Sequence, residues 1–387
     1  MRDQRFCSVV LATALSVVNG GCPADGDPAT AGAAATGGAP AEGGAGGGCP
    51  SGSHSADAGG CASTLTFIRS PTELPGPRDH HTTLVAEPGG KPYLYVFGGG
   101  KDENTTIYRD VLRAPIGNDG SLGAFEEIGE LPEPRLGHTT VLIGDRVIVA
   151  GGLSEGPSGL HSLRTTVISA LTTDGALGPW SEGPDLPQAV MHHSCNAHGS
   201  NVICVGGRIA GNYTSDLAVR AELAADGTLA PYQPVSPLSA SIGFHQAFIR
   251  DDTLYLAGGL HRDAPMPEFD LLTRISRAEI AEDGSLGPWV PAGELPVPLN
   301  VGAAELFLDR VYWVGGMHGA HGATASVLEG AFREDGSVAD VVTSGALLSA
   351  ARMHVHQTPS YKSWIYSVGG RGDQEASLAS VDIGSFE

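Results

Sequence analysis

Positive charge is scarce in this chain: 22 Lys and Arg stand against 43 Asp and Glu over 387 residues, a formal net charge of −21. A surface of that sign repels phosphate backbones and anionic headgroups, which argues against nucleic acid and against direct adsorption to a lipid surface. Aromatic residues make up only 6%, so any core must be built mainly from aliphatic side chains. Helix signals are absent, which points to an all-β chain. Long apolar runs are nearly absent too. The one that exists, Cys7 to Val18, is too short to span a bilayer as a mature helix. Cysteine is sparse as well, and the six present agree with an oxidising compartment. In their place stand 56 Gly and 26 Pro.

The apolar run follows Arg2 and Arg5, the layout of an export signal. It ends in Asn19-Gly20-Gly21-Cys22, which is similar to a bacterial lipoprotein signal, with Asn19 where Leu is usual. The resemblance implies a signal over residues 1–22 and lipidation of Cys22, hence a protein held in the cell envelope. The alternative is ordinary secretion after cleavage elsewhere. Residues 23–62 are Ala, Gly, Pro, Ser and Asp with little to bury, the composition of a flexible tether.

Residues 63–387 are organised by a repeat. An apolar run closes on a Gly-Gly pair at Gly98, Gly151, Gly206, Gly258, Gly315 and Gly369, at intervals of 53, 55, 52, 57 and 54 residues. A period near fifty filled with short β-type runs predicts a six-bladed β-propeller, one four-stranded meander per repeat. Strand b is apolar at nearly every position, as in Val147-Ile148-Val149, which suits a strand covered on both faces. Between strands c and d, Asp-Gly recurs at Asp119, Asp174, Asp226, Asp283 and Asp335. That dipeptide predicts a two-residue type I′ hairpin. Five such turns accompany six Gly-Gly pairs, so the last repeat lacks its outer strand. A spare strand precedes the first repeat, and Thr64 to Arg69 is therefore expected to pair with Ala376 to Ile383 and close the ring.

With these features the chain resembles the kelch-type propellers. The likeness rests on the Gly-Gly pairs, on the Arg/His residues before strand a (Arg78 to His81, Arg135 to His138), and on the aromatics Trp180, Tyr232 and Trp289. It departs from the usual pattern in its dominant Asp-Gly turn and in lacking a regular Tyr shortly before the Trp.

Cys195 and Cys204 fall on strands a and b of one blade. A turn at Gly199-Ser200 makes them a non-hydrogen-bonded cross-strand pair with Cα atoms about 4.5 Å apart, within reach of a disulfide. The position leading into strand a reads His81, His138, His193, His245, Gly302 and His356. Imidazoles that recur because the repeat recurs are best explained as hydrogen-bonding a neighbouring loop. No metal and no cofactor are assigned. The b-to-c and d-to-a loops share one face and carry Arg78, Arg135, Arg208, His261, Arg262, Asp263, His318, His321 and Arg371, a set suited to a carboxylate or sugar acid. Arg208 and Arg371 stand out, because the other blades have Gly100, Leu153, Leu260 and Met317 at that place.

No G-x-S-x-G element and no paired carboxylate site can be singled out, and the Asp-Gly units miss the spacing of sialidase Asp boxes. The expected function is that of an exported, lipid-anchored, non-catalytic module, monomeric, binding a carbohydrate or protein through the loop face. The alternative, implied by the kelch resemblance, is a carbohydrate-active enzyme such as a sugar-acid mutarotase or epimerase.

Overall fold

Strand b explains how the blades stack. In blade 1, Leu94 and Val96 pack with Tyr366 and Val368 of blade 6, while Tyr95 and Phe97 face Val147 and Val149 of blade 2. Alternate side chains point to opposite faces of a strand, so a strand apolar at every position serves two neighbours at once. Among the described residues, six such clusters each join adjacent blades, the last linking blades 5 and 6 through Tyr312, Ile365 and Phe386.

The computed structural model describes residues 54–55, 61–62, 64–101, 104–157, 159–264, 268–319 and 322–386. The expected signal over residues 1–22, with Cys22, lies outside them, as does the expected 23–62 tether apart from an antiparallel pairing of His54–Ser55 with Cys61–Ala62. Leu65–Phe386 forms a separate compact unit. It is an all-β, six-bladed propeller, each blade a four-stranded antiparallel sheet. Strands a of blades 1 to 5 are Thr82–Ala86, Thr139–Ile143, Ser194–His198, Gln246–Arg250 and Ala303–Phe307.

Blade 6 is closed by the N-terminal strand, with a shifted register. Leu65–Arg69 pairs with Val381–Phe386, from Leu65 opposite Phe386 to Arg69 opposite Asp382. Strand c therefore starts later than the expected Ala376, because residues 371–378 fold into the b-to-c loop: Arg371 bridges Ser377, and Leu378 N–H donates to Gly370 O. The inner strand of this blade is reduced to Ser360–Tyr361. Ahead of it Pro359 has no N–H to donate, and Gln357 reaches across to its neighbours instead. Its Oε1 accepts from Thr83 N–H at 3.1 Å, and its Nε2 donates to Thr140 O at 3.0 Å.

The Asp-Gly turns are not type I′. Only the glycine has positive φ, +78° at Gly120 and +75° at Gly336, while the aspartates stay in ordinary backbone regions. Gly120 N–H donates to Gly117 O and Gly117 N–H to Ser121 O, so the turn is wider and ends on a left-handed Gly. Asp119 Oδ1 accepts from the N–H and hydroxyl of Ser121, a bond pair that a left-handed Asp would lose. The turn also fastens blades together. Tyr95, Tyr255 and Tyr366 on strands b donate to Gly175, Gly336 and Gly120 O of the next blade.

The Cys195–Cys204 disulfide is present, with the two residues directly opposite and Cα atoms 4.1 Å apart.

Candidate functional site

The segment before each strand a builds the axis. Its first residue is Arg in three blades, and all three are buried. Arg78 donates to Gly98 O and pairs in two-pronged fashion with Asp110. Arg135 donates to Gly151 O and Thr165 O, and Arg352 to Gly369 O, Ser380 O and Asp382. Each arginine thus satisfies the carbonyl of the first Gly in a Gly-Gly pair, a buried acceptor that would otherwise lack a partner. Arg78 and Arg135, expected as ligand-binding cations on the loop face, are structural clamps.

The histidines three residues later pin neighbouring blades. His138 Nε2 meets Thr82 Oγ1 at 2.9 Å, His193 Nε2 meets Thr139 Oγ1 at 3.2 Å, and His245 Nε2 meets Ser194 Oγ at 2.7 Å. Gly302 has no imidazole to offer, and the preceding blade carries Gln246 in place of the short hydroxyl residue, its amide turned to Phe244 O. The ring in blade 6 continues with Val355, not His356. A Cβ added at Gly370 would stand 2.7 Å from Val355 Cγ2, just as one at Gly99 would stand 2.7 Å from His81 Cβ. Gln357 and Pro359 break the inner strand there, which moves the alignment by one residue.

One residue before this ring lies another that the sequence reading passed over. His80, Gly137, His192, Phe244, Val301 and His354 all have φ between +51° and +60°. Each N–H donates to the carbonyl of its counterpart in the adjacent blade: His80 to His354, Gly137 to His80, His192 to Gly137, Phe244 to His192, Val301 to Phe244 and His354 to Val301, at 2.7–3.3 Å. Six bonds close a circle around the propeller axis. The doublets His80-His81 and His192-His193 were the sequence signal for it.

Three imidazoles of this circle converge. Their ligand atoms lie within 4.8 Å of one another, and the rings of His80 and His354 stack at 3.8 Å. His192 packs on Phe244 at 4.3 Å, and the ring of His356 lies 5.1 Å from that of His192. Burial pushes the pKa of His80, His192 and His354 below the usual imidazole range. For His80 the adjacent Asp79 carboxylate, hydrogen-bonded to Nδ1, opposes that shift. Burial alone would raise the Asp79 carboxyl, but His80 and Arg371 outweigh it and hold it well below the carboxylate range.

The inner strands of all six blades line an open axial cavity of about 390 Å³, whose wall includes Thr83, Thr140, Asn196, Glu305, His356, Gln357 and Ser360. Burial pushes the Glu305 carboxyl up to about 7, against a 2.6 Å hydrogen bond donated by Ser360.

The remaining expected loop-face residues are largely engaged within the protein. Arg371 is buried, its Nε 3.0 Å from Asp79 Oδ2, so Arg371-Gly372-Asp373 does not present a free guanidinium. Arg262 is buried and donates to Asn212 O and Ala264 O. Arg208 is hydrogen-bonded to Asn212 and lies 5.8 Å over the Phe244 ring. His261 Nδ1 meets Ser241 O at 2.8 Å, with Nε2 3.5 Å from Asp263. His318 is half-buried, and burial lowers its pKa. His321 lies outside the described residues.

Known proteins agree with the propeller fold. The chain is 24% identical over 252 residues to Kelch-like protein terF of Aspergillus terreus, covering 64% of this chain and 52% of that one. It is 30% identical over 221 residues to Tip elongation aberrant protein 1 of Schizosaccharomyces pombe, covering 54% and 18%. The chain is a six-bladed β-propeller with kelch-like homologues. The propeller matches about half or less of the length of these relatives, and no protein-family model matches it. Among solved structures, the one described as "Structure of YjhT" superposes with a TM-score of 0.61 at 11% identity, over 81% of this chain and 95% of that one. That likeness concerns the fold.

Proposed function

We propose that the protein is an exported, lipid-anchored binding module whose loop face engages a protein partner without catalysis. The observation that carries this reading is the contrast between frame and loops. The six blades are locked by buried arginines, histidines and tyrosines, whereas the b-to-c loops differ from blade to blade. One is a projecting hairpin, Leu153–Gly156 with Gly159–Ser162 and an exposed Leu160; another is the short ladder Leu260–His261 with Asp270–Leu271. Variable loops on a rigid repeat form a recognition surface. Arg78, Arg135, Arg262 and Arg371 are occupied internally, which leaves the face poorly supplied with donors for a sugar acid. The kelch-like relatives support the same reading. Cys22 would carry the lipid, and residues 23–62 would hold the propeller off the membrane.

Photo-crosslinkers placed at Leu160 or Tyr213, on the loop face, should capture one partner band, whereas Asp145 or Asp252, at the opposite a-to-b turns, should capture none. Equal labelling from both faces would sink the proposal, and specific binding to a glycan array would move the ligand to carbohydrate. For the anchor, the mature protein should begin at Cys22 with a lipid mass that Cys22→Ala removes. A second reading rests on Glu305, an acid poised near neutrality in a cavity, the requirement of a proton-transfer enzyme. It calls for anomer interconversion of a sugar acid that Glu305→Gln abolishes.

A further inference from the structure

We propose that His80, His192 and His354 form a binding site for a divalent transition metal of the zinc and copper group at the propeller axis. Imidazole is an intermediate donor that suits Zn²⁺, Cu²⁺ and Ni²⁺ and does not suit Mg²⁺ or Ca²⁺. The three rings come from blades 1, 3 and 6, and their ligand atoms already lie within 4.8 Å of one another. Tetrahedral zinc with Zn–N bonds of about 2.0–2.1 Å needs nitrogens roughly 3.3 Å apart, so binding would require the stacked rings of His80 and His354 to turn out of their stack and toward His192.

Four further observations point to a ligand. Both ring nitrogens of His192 and Nδ1 of His354 are buried with no hydrogen-bond partner, a costly state unless something occupies the space between them. The Asp79 carboxylate bonds His80 Nδ1 and is itself held by Arg371 at 3.0 Å and Ser377 at 2.7 Å. That chain fixes the His80 tautomer and leaves Nε2 for the metal, the outer support that metal-binding histidines ordinarily have. Gly137 gives the cluster room: a Cβ there would press to 3.2 Å from His192 Cε1. The circle of six backbone bonds holds the three Cα atoms in place, so the site is built on a rigid frame. Three ligands leave a fourth position open to water or a small ligand.

The test uses tag-free mature protein stripped with a chelator, titrated with Zn²⁺ by calorimetry and with Co²⁺ by absorption. One equivalent should bind, and Co²⁺ should give the intense visible bands of a four-coordinate nitrogen site. His192→Phe and His354→Phe should each lower affinity beyond the 10–100-fold that loss of an outer partner typically costs, while His161→Ala, an exposed imidazole on the loop hairpin, should leave it unchanged. Absence of stoichiometric uptake, or equal uptake in both Phe variants, overturns the proposal, as does loss of binding in His161→Ala. If the Phe variants do not fold, pulsed EPR of the Cu²⁺-loaded wild-type protein decides: three coordinated imidazoles support the site, and one or none overturns it.

Discussion

At the scale of single residues, this propeller places its most polar side chains where cores usually hold none. The Arg352–Asp382 pair has both side chains fully buried, with Asp382 also accepting from Ser349. Breaking such a pair strands a charge in a low-dielectric interior, so Arg352→Ala should cost about 3–5 kcal/mol in urea unfolding. A loss under about 1 kcal/mol would mean that Asp382 finds water. The inter-blade histidines set the pH response. Burial holds His81 and His193 near 3 and His245 near 4, against 6.5 for a free imidazole. Unfolding below pH 6.5 therefore takes up protons, and stability falls as pH falls, by up to about 1.4 kcal/mol per pH unit for each ring. Glu305 acts in the opposite sense: raised from 4.5 to about 7, it loses stability as pH rises through that window. The histidines outnumber it. The melting temperature should drop steadily from pH 7 to pH 5, and a flat profile would show that these rings are solvated.

At the scale of the strand and turn, the glycines mark where elements meet. Gly258 has φ +61°, and a Cβ there would stand 2.2 Å from Leu299 O in the following blade. A left-handed side chain costs roughly 1–2 kcal/mol by itself, and the backbone clash adds to it. Gly258→Ala should therefore lose more than about 2 kcal/mol, while Gly345→Ala, which faces open space on the long outer strand of blade 5, should be neutral. Comparable midpoints for the two variants in denaturant would contradict the close approach of blades 4 and 5. The same crowding explains why the Gly-Gly pair was the clearest element of the repeat: first Gly for the carbonyl of the next blade, second Gly for the residue leading into strand a.

At the scale of the whole molecule, closure depends on five residues far from their partners in sequence. Leu65–Arg69 covers the outer edge of Val381–Phe386, with Leu65 and Phe386 both buried. Deleting residues 65–69 exposes an unpaired edge and opens the cluster between blades 5 and 6. The truncated protein should melt at a lower temperature and associate through that edge in sedimentation. Unchanged melting of a monomer would show that the ring does not need its N-terminal strand.

The sequence by itself determined the number of blades, the strand that closes the ring, and the Cys195–Cys204 pairing, because each follows from a local period of two residues or from a count of repeats. The tertiary structure decided everything that depends on what a side chain meets across a blade boundary. Arg78 and Arg135 look like surface cations along the chain, yet buried carbonyls two strands away claim them. His356 shares the spacing of the inter-blade ring, yet the broken inner strand of blade 6 moves it out of register and gives its place to Val355. His80, His192 and His354 stand 112 and 162 residues apart in sequence, and only the circular closure of six blades brings them to one axis.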